Sequence, residues 1–109
     1  ETKSEWLQRV ADIHGLDPED IDEIAELCLE DAKNNIAVLK GAAKGQDLSD
    51  AKRAAHSIKG ATANIQLNDL SNAARDIENK LREDDFINLQ SSLSVLEEKY
   101  EEFKQFYNS

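Results

Sequence analysis

The chain has 109 residues, 39% hydrophobic and 33% charged, with a formal net charge of −10, one proline, four glycines and a single cysteine. That length supports one modest core rather than two, and so little proline and glycine starves a sheet of its turns. The acidic excess argues against nucleic acid and against direct membrane contact, since both partners are held chiefly by clustered lysine and arginine.

Lone Cys28 excludes an internal disulfide and a thiolate metal cluster. No apolar run is long enough to span a bilayer, and the start "ETKSEW" has no secretory-signal character. The chain therefore reads as a soluble, cytoplasmic, all-α protein forming a single domain over 1–109. Its first residue is Glu1 rather than methionine, which reads as a domain cut from a longer chain or a processed product.

Five helical segments follow in order. "SEWLQRVADI" is a short amphipathic helix that ends at His14 and Gly15, with Trp6 and Leu7 covering apolar surface and His14 a terminal helix residue before a glycine cap. The second segment opens with Asp17 as cap, Pro18 at the first helical position and acid in the first turn. Ile21, Ile24, Ala25, Cys28, Ala32, Ile36, Leu39 and Ala43 mark its buried stripe, and it stops near Gly45. Cys28 reads as a small buried hydrophobe.

The third segment runs from about Asp47 to Ile65, the fourth from about Asn68 to Arg82, and the fifth from about Asp85 to Tyr107. Phe86, Leu89, Leu93, Leu96, Tyr100, Phe103 and Tyr107 form the core stripe of the last. Four long amphipathic helices with short connections predict an antiparallel four-helix bundle, with the first segment as a short additional N-terminal helix.

The chemistry concentrates in "KRAAHSIKGATANIQ" of the third segment. On a wheel of about 100° per residue, Leu48, Ala51, Ala55, Ile58, Thr62 and Ile65 define its buried side. His56 lies roughly 135° from the centre of that arc, which predicts an exposed imidazole. Lys52, Lys59, Gly60 and Ala63, three or four residues or one further turn along, share its face.

A mid-helix glycine costs about 1 kcal/mol against alanine. Its presence one turn after a histidine suggests close approach by another body. Between Lys40 and Asn64 five basic residues face Asp47 and Asp50, a net +3 that leaves −13 for the rest. Such a local positive field suits one small anion or one acidic protein surface. An exposed imidazole beside an ammonium suits phosphoryl transfer, which needs a nucleophilic nitrogen and compensation of phosphoryl charge.

At this point "AHSIKGATANIQLNDLSNAARDIENKL" resembles the histidine-containing phosphotransfer (HPt) domain family of two-component phosphorelays, through His-x-x-Lys-Gly and the leucine and alanine helix after it. The resemblance implies that His56 accepts a phosphoryl group from a receiver-domain aspartate or a kinase domain and passes it to a response-regulator receiver. It implies that Lys59 neutralises that group and Gly60 admits the partner, with Lys52 and Ala63 in the same contact surface. Glu78 matches the residue that orients the imidazole. It further implies no bound cofactor, since Mg²⁺ comes with the receiver, a monomeric module, and a histidine kinase as a companion, in some members on the same chain.

Family members usually carry glycine where this chain has Gln66, so a left-handed turn there would be strained. The competing reading is an acidic helical adaptor that binds a partner without phosphotransfer. It is motivated by the −13 outside the histidine segment and by Gln66.

Overall fold

A computed structural model describes residues 1–45 and 48–109. Among the described residues there are five helices and no strand: α1 Lys3–His14, α2 Pro18–Ala43, α3 Leu48–Asn64, α4 Asn68–Arg82 and α5 Phe86–Asn108. The expected beginning of α3 at Asp47 lies outside the described residues.

Helix ends follow from local side-chain chemistry. At α1, the Glu5 N–H donates to Thr2 Oγ1 at 3.1 Å and the Thr2 N–H donates to Glu5 Oε1 at 3.0 Å, a reciprocal capping box. At α2, Pro18 fills the position whose N–H has no intrahelical acceptor, and the Asp17 N–H donates to the Asp20 carboxylate at 3.1 Å. At α5, the Asp85 carboxylate accepts the Asn88 N–H at 3.2 Å.

Four helices stop on a left-handed residue, α2 on Gly45 with φ +90°. Gly15 ends α1 with φ +67°. After α3, Gln66 takes φ +63°, its N–H donates to Ala63 O at 3.1 Å, and the Leu67 N–H donates to Thr62 O at 2.9 Å. This pair of bonds satisfies the last carbonyls in the Schellman manner. Asp84 repeats it after α4 with φ +56° and the Asp85 N–H on Lys80 O at 2.8 Å. The left-handed turn suspected at Gln66 is therefore present, on a side chain that disfavours it.

Packing runs in a ring, α2 against α3, α3 against α4, α4 against α5 and α5 against α2, with α1 laid on α2. The Tyr107 hydroxyl donates to the Asp22 carbonyl at 3.1 Å and to its carboxylate, while Tyr100 lies opposite Leu29, so α2 and α5 run in opposite directions. Ser92 on α5 donates to the Asp76 carboxylate on α4, which also accepts Lys80 at 3.1 Å. These polar ties sit beside a continuous core drawn from all five helices.

Two apolar positions differ from the sequence reading. Ala42 rather than Ala43 is buried at the end of α2, because position 42 continues the three-residue step from Leu39. Phe86 is 46% exposed, since helical side chains lean toward the N-terminus and the first residue of α5 therefore projects past the helix end. It stands over an apolar cleft with Ala42, Leu48 and Leu89.

Trp6 is buried edge-on against Phe103 at 5.4 Å and Phe106 at 6.2 Å, which seats α1 on α5. His14 does more than precede a cap: its Nε2–H donates to the Asn64 carbonyl at 2.6 Å, tying α1 to the end of α3. Cys28 is buried, and burial pushes its thiol up to about 11, so it stays protonated and inert. Among the described residues no helix is long and apolar enough to cross a membrane.

Candidate functional site

The buried stripe of α3 (Ala51, Ala55, Ile58, Thr62) turns the opposite face of that helix outward. On it Lys52, His56, Gly60 and Ala63 are all exposed, as the wheel predicts. Lys59, at the edge of this face, leans toward α4 and is half-buried.

α4 brings the remaining groups. Its buried stripe (Leu70, Ala74, Ile77, Leu81) leaves Ser71, Glu78 and Arg82 on one flank, spaced by seven and four residues. Ser71 is buried and its hydroxyl donates to the Lys59 carbonyl at 3.0 Å, which fixes the register of α4 against α3. Glu78 then comes opposite His56 and Lys59.

The Glu78 carboxylate is the junction of the site. Its Oε2 lies 2.9 Å from His56 Nδ1, and its Oε1 accepts Lys59 Nζ at 2.7 Å. Arg82 Nη2 stands 3.7 Å from the same Oε1. The hydrogen bond from Lys59 is the chief influence holding this carboxyl below its usual range; burial opposes it, and the bond from His56 assists. Glu78 is thus an ionised acceptor at neutral pH, and the His56 nitrogen facing it carries the proton as donor.

That arrangement settles which nitrogen is available. With Nδ1–H committed to Glu78, whose side chain is only 14% exposed, the lone pair of neutral His56 resides on Nε2. The His56 side chain is 71% exposed, and Nε2 has no hydrogen-bond partner among the described residues. A nucleophilic nitrogen therefore stands on an open surface.

Among the described residues Gly60 has no packing reason. A Cβ built there would meet no heavy atom within 4 Å beyond the helix's own backbone, and no positive φ calls for glycine.

The structure brings together His56, Lys59 and Glu78, and displays Lys52, Gly60 and Ala63 beside them. The Lys59 ammonium, on the edge of the same face, is engaged by Glu78, a contact that the sequence reading did not include. Ser71 and Arg82 were missed, although their seven- and four-residue spacing from Glu78 was readable as a shared flank.

The model of a protein family described as Hpt domain matches residues 8–106, nearly the whole chain. No curated protein and no solved structure gives a match.

Proposed function

We propose, from the premise that the chain belongs to the Hpt domain family, whose members serve phosphotransfer in two-component systems, that it is a phosphorelay intermediate with His56 as the carrier. The observation that carries this reading is the commitment of His56 Nδ1 to Glu78, which leaves Nε2 outward and unpartnered.

In the forward step the Nε2 lone pair attacks the phosphorus of a receiver's aspartyl phosphate, or of a kinase-bound donor. The N–P bond forms as the P–O bond breaks, and the electron pair departs with the leaving oxygen, in the receiver case as the aspartate carboxylate. The Nδ1 proton stays, and the imidazolium formed on the carrier is balanced by Glu78. A second receiver's aspartate takes the group by the reverse of this step. Lys59 turns from Glu78 to the phosphoryl oxygens, which supplies the charge compensation that such transfer needs.

Lys52, Gly60 and Ala63 form the contact surface that lets the receiver's acidic site reach the ring. Mg²⁺ belongs to that receiver. The closed ring of contacts among α2, α3, α4 and α5 supports an antiparallel four-helix bundle with α1 as an added helix, in one domain over 1–109. Its setting is the cytoplasm, as a monomer working with a response regulator and a histidine kinase.

Incubation with a phosphorylated receiver domain and Mg²⁺ tests the reading. The wild-type chain acquires acid-labile label and His56→Gln acquires none. Label that persists in His56→Gln would overturn the assignment. Receiver binding that survives in His56→Gln, without label on the wild type, would establish the adaptor instead.

A further inference from the structure

One carboxylate oxygen in this site has two cations near it and bonds to only one. Glu78 Oε1 accepts Lys59 at 2.7 Å, while Arg82 waits at 3.7 Å, outside hydrogen-bond length. The Arg82 side chain is 68% exposed and makes no other ion pair among the described residues. It lies one helical turn after Glu78, the favourable order for an acid and a base four apart.

The proposed function creates a demand on this pair. A phosphoryl group on His56 Nε2 draws the Lys59 ammonium toward itself, at the expense of its bond to Glu78 Oε1. Glu78 Oε1 then loses its shortest bond in a setting with little access to water. The carboxylate is then held by the Nδ1–H bond alone, and its orientation toward the ring loosens.

We propose that Arg82 is a positioning residue that takes over Glu78 Oε1 when Lys59 moves to the phosphoryl group, so that the carboxylate keeps its orientation and its bond to His56 Nδ1 throughout the phosphorylated state. Its guanidinium needs to close about 1 Å to reach bonding distance, and its exposure leaves it free to do so. The Glu78 carboxylate held in this way continues to accept from Nδ1–H of the phosphorylated ring. This inference rests on the proposed phosphocarrier role, but its first test does not.

A plain surface pair near the end of α4 would alter stability slightly and nothing else. The two are separated by proton spectra of the unphosphorylated full chain with ¹⁵N-labelled histidine at low temperature, using Lys59→Met to imitate departure of the ammonium. The His56 Nδ1–H signal persists in the wild type, in Arg82→Gln and in Lys59→Met. It is lost to solvent exchange in Lys59→Met with Arg82→Gln, and is retained in Lys59→Met with Arg82→Lys.

In the second readout, the fraction phosphorylated at equilibrium with phosphoramidate falls about fivefold in Arg82→Gln, the size of one exposed ion pair, and recovers in Arg82→Lys. A signal that survives in the Lys59→Met, Arg82→Gln double variant, or an Arg82→Gln chain that phosphorylates like the wild type, overturns the inference. A wild type that takes up no phosphoryl group instead overturns the parent reading, and shows itself before any substitution is made.

Discussion

Two side chains and one missing side chain define what His56 can do. Glu78 holds Nδ1, Lys59 stands one turn along, and Gly60 leaves open space on the same exposed face. Because nothing in the protein fills the space at Gly60, Gly60→Ala should raise stability by about 1 kcal/mol, the helix propensity difference. The same variant should slow transfer from a receiver about tenfold, as a methyl group meets the incoming surface. Thermal unfolding together with transfer kinetics checks both; a loss of stability, or transfer at the wild-type rate, would refute the account of this glycine.

The carboxyl of Glu78 titrates lower in the folded chain than the ordinary 4.5, first because of Lys59 and then His56. A depressed carboxyl contributes stability that is complete above its unfolded value and disappears as pH falls through the folded one. The stability difference between wild type and Glu78→Gln should therefore be constant down to about pH 5 and shrink steadily below 4.5. Denaturant unfolding across pH 3 to 7 measures it, and a difference that grows on acidification would contradict the geometry.

The helices are set by their ends as much as by their stripes. Proline and acid at the start of α2 and the glycine after α1 carry local signals, and those boundaries were readable for that reason. The whole span Asn68–Arg82 of α4 was likewise legible, bounded on both sides by breaks in the apolar period. The turn after α4 was less so: Asp84 adopts φ +56°, and aspartate does not announce a left-handed residue as glycine does.

Gln66 was flagged only because the resemblance led one to expect glycine, and its φ of +63° shows why glycine suits the position. Gln66→Gly should stabilise the chain by about 1 kcal/mol, the left-handed penalty of a side chain with a Cβ. It should do so without altering transfer, since the turn is ten residues from His56. Paired unfolding and transfer measurements decide it, and destabilisation by glycine would mean that the glutamine side chain holds the turn. Phe86 shows the opposite limit: the three-and-four stripe put it in the core and the structure leaves it 46% exposed, because periodicity carries no information on where a helix end projects beyond its neighbours.

Taken together, the fold turns a modest local charge into a directed one. The +3 between Lys40 and Asn64 sits on a chain carrying −13 elsewhere, and Lys52, Arg53 and Lys59 of that segment lie on the helix that bears His56 on its exposed face, where an acidic surface would meet the least repulsion. That face was legible because a surface on a single helix is written in three- and four-residue steps. The junction at Glu78 was legible only as a resemblance, since its two bonds span 22 and 19 residues and depend on how α4 lies against α3. Arg82 was readable as a neighbour of Glu78 one turn on, but its relevance follows only once packing brings Glu78 to His56.

The central claim is that the phosphoryl group goes to one named nitrogen. The most direct measurement is a ¹⁵N and ³¹P spectrum of the phosphorylated chain made with labelled histidine. Phosphorus coupled to Nε2 of His56, with the proton still on Nδ1, is the result expected; coupling to Nδ1, to His14, or to no histidine would contradict it.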